Sequence, residues 1–185
     1  MVLAALRLTP REDAAAYARA VEGRVKALAR AHTLLAEGRW SGADLGALAE
    51  GELAPFRLPP GAPAGAAPRV EVAGPAVHLA PAAAQGVSMA LHELATNATK
   101  HGALSAPGGA VRLSWEIDRG AAVLRLLWEE RGGPPAASPP TRRGFGTRVV
   151  EGTVRDQLGG RVARRWEAAG LACATEVPLA RLARA

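Results

Sequence analysis

Glu93, Asn97 and Lys100 follow one another at intervals of four and three in the segment Leu91-His92-Glu93-Leu94-Ala95-Thr96-Asn97-Ala98-Thr99-Lys100-His101-Gly102. On a helix that spacing places a carboxylate, an amide and an ammonium on one face. An amide oxygen there can ligate a Mg2+ that also bridges phosphate oxygens. A carboxylate one turn earlier can orient or deprotonate an attacking group, and an ammonium can pair with phosphate as a point charge. Taken alone, Glu93 and Lys100 read more readily as a solvated helix face; two further blocks shift the balance.

The first is Trp128-Glu129-Glu130-Arg131-Gly132-Gly133-Pro134, in which Glu130 follows directly on an apolar strand. A carboxylate at a strand end can accept a hydrogen bond from an adenine amine, and the glycines let the backbone approach the base closely. An ordinary charged turn would leave the Gly-Gly-Pro run unexplained. The second is Gly144-Phe145-Gly146-Thr147, flanked by Arg142, Arg143 and Arg148 and opening a helix whose bare N–H groups would attract phosphate. The pairs Trp115-Glu116 and Trp166-Glu167 lack the glycines and are given no site role.

The elements that must position these blocks divide the chain in three. Thr9-Pro10-Arg11-Glu12 reads as a helix start, with Val21, Val25, Leu28, His32 and Leu35 as an apolar seam at heptad-like spacing and Gly38 as its end. His32 on that seam reads as a packing histidine. Ser41-Gly42-Ala43-Asp44 caps a shorter helix through about Leu53, with Leu45, Leu48 and Ala49 inward. Residues 1–56 form this helical front, 57–68 a linker rich in proline and glycine, and 69–185 the remainder. That remainder shows two short strand pieces around Gly74-Pro75, a helix over 81–101, strands at 111–115 and 123–128, a helix over 146–158 and a hairpin of 161–166 with 171–177. Residues 131–144 are too rich in Gly, Pro and Arg for regular structure and suggest a mobile lid. The fold class is α+β: a helical segment followed by an α/β sandwich with helices on one face of a mostly antiparallel sheet.

Composition limits the function classes. Two of the 23 basic residues are lysine and the arginines are scattered, so the net charge of +6 is not read as a nucleic-acid footprint. The single Cys173 cannot form an internal disulfide and reads as a small buried thiol. No apolar run approaches the length of a membrane span and no signal-peptide layout is present, so a cytoplasmic protein without membrane attachment is expected.

The order of blocks resembles the ATP-binding domain of the superfamily that joins gyrase, MutL and the histidine kinases, with Asn97 in the N box, Glu130-x-Gly132 in the first glycine box and Gly144-x-Gly146 in the second. More closely it resembles the HWE sensor histidine kinases, named for a His in the N box (His92) and a Trp-x-Glu in the first glycine box (Trp128-Glu129-Glu130). Residues 24–35 and Trp40-Ser41-Gly42-Ala43-Asp44-Leu45 resemble that family's second dimerisation helix and the stretch after it. The resemblance implies a Bergerat-type ATP-binding fold and a kinase that moves the ATP γ-phosphoryl to a histidine, then to an aspartate of a response-regulator receiver domain. It implies ATP and Mg2+ as cofactors, Glu93 and Asn97 as the catalytic pair and Asn97 as metal ligand. Glu130 would select adenine, Gly132 admit it, and Gly144 and Gly146 shape the lid, with Lys100, His101, Phe145 and Thr147 as further nucleotide contacts.

The family's basic His-Arg-Val-Lys-Asn block, which carries the phosphorylated histidine, has no match here; none of His32, His78, His92 or His101 is assigned that role. The chain is expected to bind ATP without labelling itself, and a homodimer through the helical front is open. Two other classes fit parts of the pattern: a non-catalytic ATP-binding module that docks a response regulator, and an anti-sigma-type serine kinase, against which residues 1–56 argue.

Overall fold

The computed structural model describes residues 14–58, 61, 69–134 and 145–183. The helix start expected at Thr9-Pro10, most of the 57–68 linker and Gly144 lie outside them. Helix α1 spans Ala14–Glu37 and ends where the Gly38 N–H donates to the Leu34 carbonyl. Its buried stripe is Arg24, Ala27, Ala31 and Leu35, which corrects the seam expected from sequence. Of that seam only Leu35 is buried, Val25 is 47% exposed, and His32 is exposed, meeting Gln85 at 3.3 Å and the Trp40 ring edge-on. Small side chains explain the choice of face: a Cβ on Gly23 would stand 2.9 Å from His92 Nε2, so α1 lies close against the helix that carries His92.

Strand β1 (Ala43–Asp44) leads into α2 (Leu45–Leu53), where Asp44 Oδ1 accepts the Ala47 N–H at 2.9 Å as an N-cap. Strands β2 (Val70–Ala73) and β3 (His78–Leu79) precede helix α3 (Pro81–Lys100). β1 and β3 pair antiparallel in a two-stranded sheet, tying the front of the chain to the start of α3. Then come β4 (Ala110–Asp118), β5 (Val123–Arg131), α4 (Phe145–Glu151), β6 (Arg161–Glu167), β7 (Gly170–Pro178) and the short α5 (Leu179–Leu182). α4 continues as a π-helical turn over Gly152–Gln157, and Gly159 (φ +63°) ends it.

The larger sheet runs β2-β4-β5-β7-β6, with β2 parallel to β4 and every other pair antiparallel. β4, β5 and β7 turn Leu113, Trp128, Cys173 and Val177 toward α3 and the turn after α4, the layered arrangement expected from the sequence. Cys173 is buried as anticipated, and burial pushes its thiol above the ordinary range, leaving it an unreactive packing group. No helix among the described residues is long and apolar enough to cross a membrane.

A polar network fastens α1 and α2 to α3. Arg30 donates to Glu52 at 2.5 Å, and Ser88 Oγ lies 2.8 Å from the other Glu52 oxygen and 3.3 Å from the Ala27 carbonyl. Glu52 is 1% exposed, and burial pushes its carboxyl up against the opposing pull of Arg30 and Ser88. Glu52→Ala takes the carboxylate from Arg30 and leaves Ser88 only the Ala27 carbonyl, and is expected to cost about 3 kcal/mol in urea unfolding. A loss under about 0.5 kcal/mol, the range of an exposed pair, would show that water already solvates it.

Candidate active site

Helix α3 is enclosed on all sides over Gly86–Ala95: Val87, Ala90, Leu91 and Leu94 face the sheet while Ser88 and His92 meet α1 and its neighbours, and this two-sided packing fixes the rotation of its polar residues. Glu93 is 3% exposed and Asn97, one turn on, is half-buried. Both face the first turn of α4: a Cβ on Gly146 would stand 2.8 Å from Glu93 Oε2 and 2.9 Å from Asn97 Nδ2. Gly146 is therefore the residue whose missing side chain lets the helix start seat on the carboxylate and the amide. From there α4 and its π turn run back along α3, with Thr153 and Gln157 against Gly86.

The far end of α3 meets the second carboxylate. The Asn97 carbonyl accepts the N–H groups of His101 and Gly102, turning the chain so that Gly102 lies against Glu130. Glu130 is 5% exposed, and each of its oxygens accepts one hydrogen bond: Oε2 from the Ala103 N–H at 2.9 Å, Oε1 from Trp128 Nε1 at 3.1 Å. Trp128 and Glu130 are two apart on β5, so the pleat puts both on one face, which is the geometric content of the Trp-x-Glu pattern. Burial pushes the Glu130 carboxyl above the usual carboxylate range, and the two N–H donors pull it only part of the way back.

The loop from Gly102 to Gly109 that supplies the Ala103 N–H is itself held: Arg69 donates to the carbonyls of Gly109, Ala103 and Ala106 at 2.7, 3.3 and 2.6 Å. Gly132 sits in the left-handed region (φ +71°), and a Cβ on Gly133 would lie 2.6 Å from Ala103 Cα. The glycines of this box thus admit loop 102–109 next to Glu130. A small apolar cavity of about 40 Å3, walled by Leu91, Leu94, Trp128, Val150 and Cys173, lies in the core between α3 and the sheet; its lining includes neither Glu130 nor Gly132, and it is a packing gap rather than a base pocket.

Glu93, Asn97 and Gly146 are brought together, and Glu130 and Gly132 are placed past the end of the same helix. Lys100 and His101 lie exposed on its last turn, and Thr147 is half-buried in the first turn of α4. Phe145 opens α4, while Gly144 lies outside the described residues. His92 is buried beside Phe56 with Nδ1 unpartnered, and burial pushes its pKa down, favouring the neutral ring. Sequence reasoning missed Arg24, whose guanidinium bonds Glu93 at 2.6 Å, and it missed Arg69 and the Ala103 N–H. Only Arg24 had a legible signal: a charge in register with Ala27, Ala31 and Leu35.

The chemistry of this donor set fits a nucleotide. Among the described residues no cluster of three or more His, Cys, Asp or Glu side chains could hold a metal. A Mg2+ at Asn97 would therefore draw most of its oxygens from phosphate and water, as that ion commonly does.

The chain matches two protein-family models: HWE histidine kinase over residues 1–76 and histidine kinase-like ATPase domain over 63–167. It is 38% identical over 177 residues to a blue-light-activated histidine kinase of Rhizobium johnstonii, an alignment covering 95% of this chain and 48% of that one. It is 35% identical over 171 residues to blue-light-activated histidine kinase 1 of Erythrobacter litoralis, covering 90% and 45%. The chain thus spans about half the length of these relatives. The histidine kinase domain of an Erythrobacter litoralis blue-light activated histidine kinase superposes with a TM-score of 0.67 at 22% identity, covering 88% of this chain and 76% of that one. A longer structure of that kinase gives 0.70 at 20% identity, covering 90% and 50%; at these identities the likeness is one of fold.

Proposed function

This chain belongs to the histidine kinases of the HWE family and carries their ATPase domain, and we propose that it is the core that moves the γ-phosphoryl of ATP to a histidine and on to an aspartate of a response-regulator receiver domain. The observation that carries this reading is the close seating of Gly146, in the first turn of α4, on Glu93 and Asn97. Asn97 is the metal ligand in this reading; bound Mg2+ would neutralise charge on the phosphoryl group during transfer. Glu130 accepts the adenine amine, Gly132 and Gly133 keep the loop close to the base, and Gly144 and Gly146 line the phosphates. Lys100, His101, Phe145 and Thr147 complete the nucleotide contacts. Glu93 orients the attacking group.

The helical front would serve the histidine-bearing partner. Val21, Val25 and Leu28 lie off the buried face of α1 that packs on α3, and this stripe is the surface on α1 for a helix of another subunit, whereas His32 meets Gln85 of α3. A cytoplasmic location, where ATP and receiver domains are found, belongs to the same reading. Calorimetry with ATP and Mg2+ tests it: the wild-type chain binds, and Asn97→Ala weakens binding about tenfold and removes its dependence on Mg2+. No heat for the wild type, or an Asn97→Ala titration superimposable on it, would sink the assignment.

A further inference from the structure

We propose that Arg24 is a positioning residue for phosphoryl transfer: from α1, outside the segment that matches the ATPase domain, it grips Glu93 by both oxygens, Oε1 closely and Oε2 loosely, and so sets the rotation of the carboxylate whose Oε2 faces the start of α4. The inference rests on the ATP reading above and adds to it a residue from the front of the chain.

Arg24 Nε donates to Glu93 Oε1 at 2.6 Å, while its terminal nitrogen reaches Oε2 at the longer 3.3 Å. The side chains are 8% and 5% exposed, so water does not replace this contact. Oε2, the loosely held oxygen, is the one that faces Gly146. The unequal grip fixes the rotation of the carboxylate and leaves Oε2 with acceptor capacity on the side where the phosphates would lie. A planar guanidinium can impose that orientation; a lysine ammonium, a point charge, cannot.

The approach of α1 is built for this contact. Gly23 stands opposite His92, at 2.9 Å for an added Cβ, so the adjacent pair Gly23-Arg24 meets the adjacent pair His92-Glu93. Glycine weakens a helix interior, and here the close packing supplies the reason for it. Ser88 and Glu52 fasten α1 one turn and more away, keeping Arg24 in register with Glu93.

With no acceptor histidine assigned in this chain, water stands in as the attacking group for the test: its oxygen bonds to the γ-phosphorus and the bond from that phosphorus to the bridging oxygen breaks. ADP leaves with the electron pair, and Glu93 Oε2 takes the proton from the water. A misrotated carboxylate fails at that proton transfer while nucleotide affinity, set by Asn97 and Glu130, is retained.

The test is carried out on the full chain with ATP and Mg2+, reading ATP affinity by calorimetry and ADP formation at saturating ATP, with circular dichroism and melting to report folding. Arg24→Ala is expected to bind ATP within about threefold of wild type yet turn it over about a hundredfold more slowly, and Arg24→Lys about tenfold more slowly. Millimolar guanidinium should raise the Arg24→Ala rate at least about fivefold and leave wild type unchanged, a response that a merely structural role would not give. Should Arg24→Ala fail to fold, Arg24→Lys decides: wild-type turnover overturns the proposal. It is equally overturned if Arg24→Ala turns over at the wild-type rate, if rate and affinity fall by the same factor, or if guanidinium restores nothing. A wild-type chain that binds no ATP is a separate result, the failure of the nucleotide reading, and takes this proposal with it.

Discussion

Gly102→Ala is expected to lose both stability and nucleotide. The added Cβ would lie 1.9 Å from Glu130 Oε2 and 2.9 Å from the Ala98 Cα, a collision with backbone on one side and a doubly bonded carboxylate on the other. The carboxylate cannot swing away without giving up the Ala103 N–H and the Trp128 indole, both buried donors. Overpacking of this kind costs about 1–3 kcal/mol, and an orphaned buried donor adds about 1–3 more. Urea unfolding should therefore show a loss of about 3–5 kcal/mol, and ATP affinity should fall about a hundredfold or more in whatever fraction remains folded. The two readouts are separable. Gly109→Ala collides with the same loop, 1.7 Å from the Ala103 carbonyl oxygen, and reaches Glu130 only indirectly through the Ala103 N–H, so a smaller fall in ATP affinity is expected of it. If Gly102→Ala binds ATP as tightly as wild type after correction for its folded fraction, Glu130 does not contact the base.

What could be read from the sequence depended on how strongly a residue type ties to one geometry. Helix α3 was legible because its apolar residues recur at the helical period over five turns, and that rotation alone sets Glu93 and Asn97 on a common face. Glu130 and its glycines were legible because a strand-end carboxylate beside Gly-Gly-Pro is an unusual local combination. The packing face of α1 was not. Hydrophobicity favours Val21, Val25 and Leu28, whereas the structure buries Ala27, Ala31 and an arginine, because close approach to α3 offsets the loss of larger side chains. The β1–β3 pair, two residues in each strand, is too short to leave a periodic trace. The partners of Glu130 are half visible in the sequence: Trp128 belongs to the Trp-x-Glu pattern, but a backbone donor such as the Ala103 N–H has no residue type to announce it. The π turn at Gly152–Gln157 departs from the α period over too few residues to register.

Glu130→Gln is expected to weaken ATP binding about a hundredfold at neutral pH and to erase a pH dependence that the wild type has. Burial holds the Glu130 carboxyl above the ordinary carboxylate range, so the folded chain retains a proton there at pH values where the unfolded chain has released it. Between the unfolded and the raised folded pKa the native state thus binds more protons, and this group's contribution to stability falls as pH rises through that window. Nucleotide affinity runs the other way, because the adenine amine needs the anion as acceptor: acidification into the window weakens ATP binding while it stabilises the fold. Glu52 is also pushed up by burial and titrates in the same sense, so the stability part must be taken as the difference between wild type and Glu130→Gln. Trp128→Phe supplies the decisive arm. It removes one of the two N–H donors that favour the anion, so the pH at which half the ATP affinity is lost should move upward relative to wild type. A packing defect alone would lower affinity equally at every pH. Calorimetric titrations from neutral to mildly acidic pH would refute the coupling if the wild-type and Trp128→Phe curves share one midpoint, or if wild-type affinity is flat across the range.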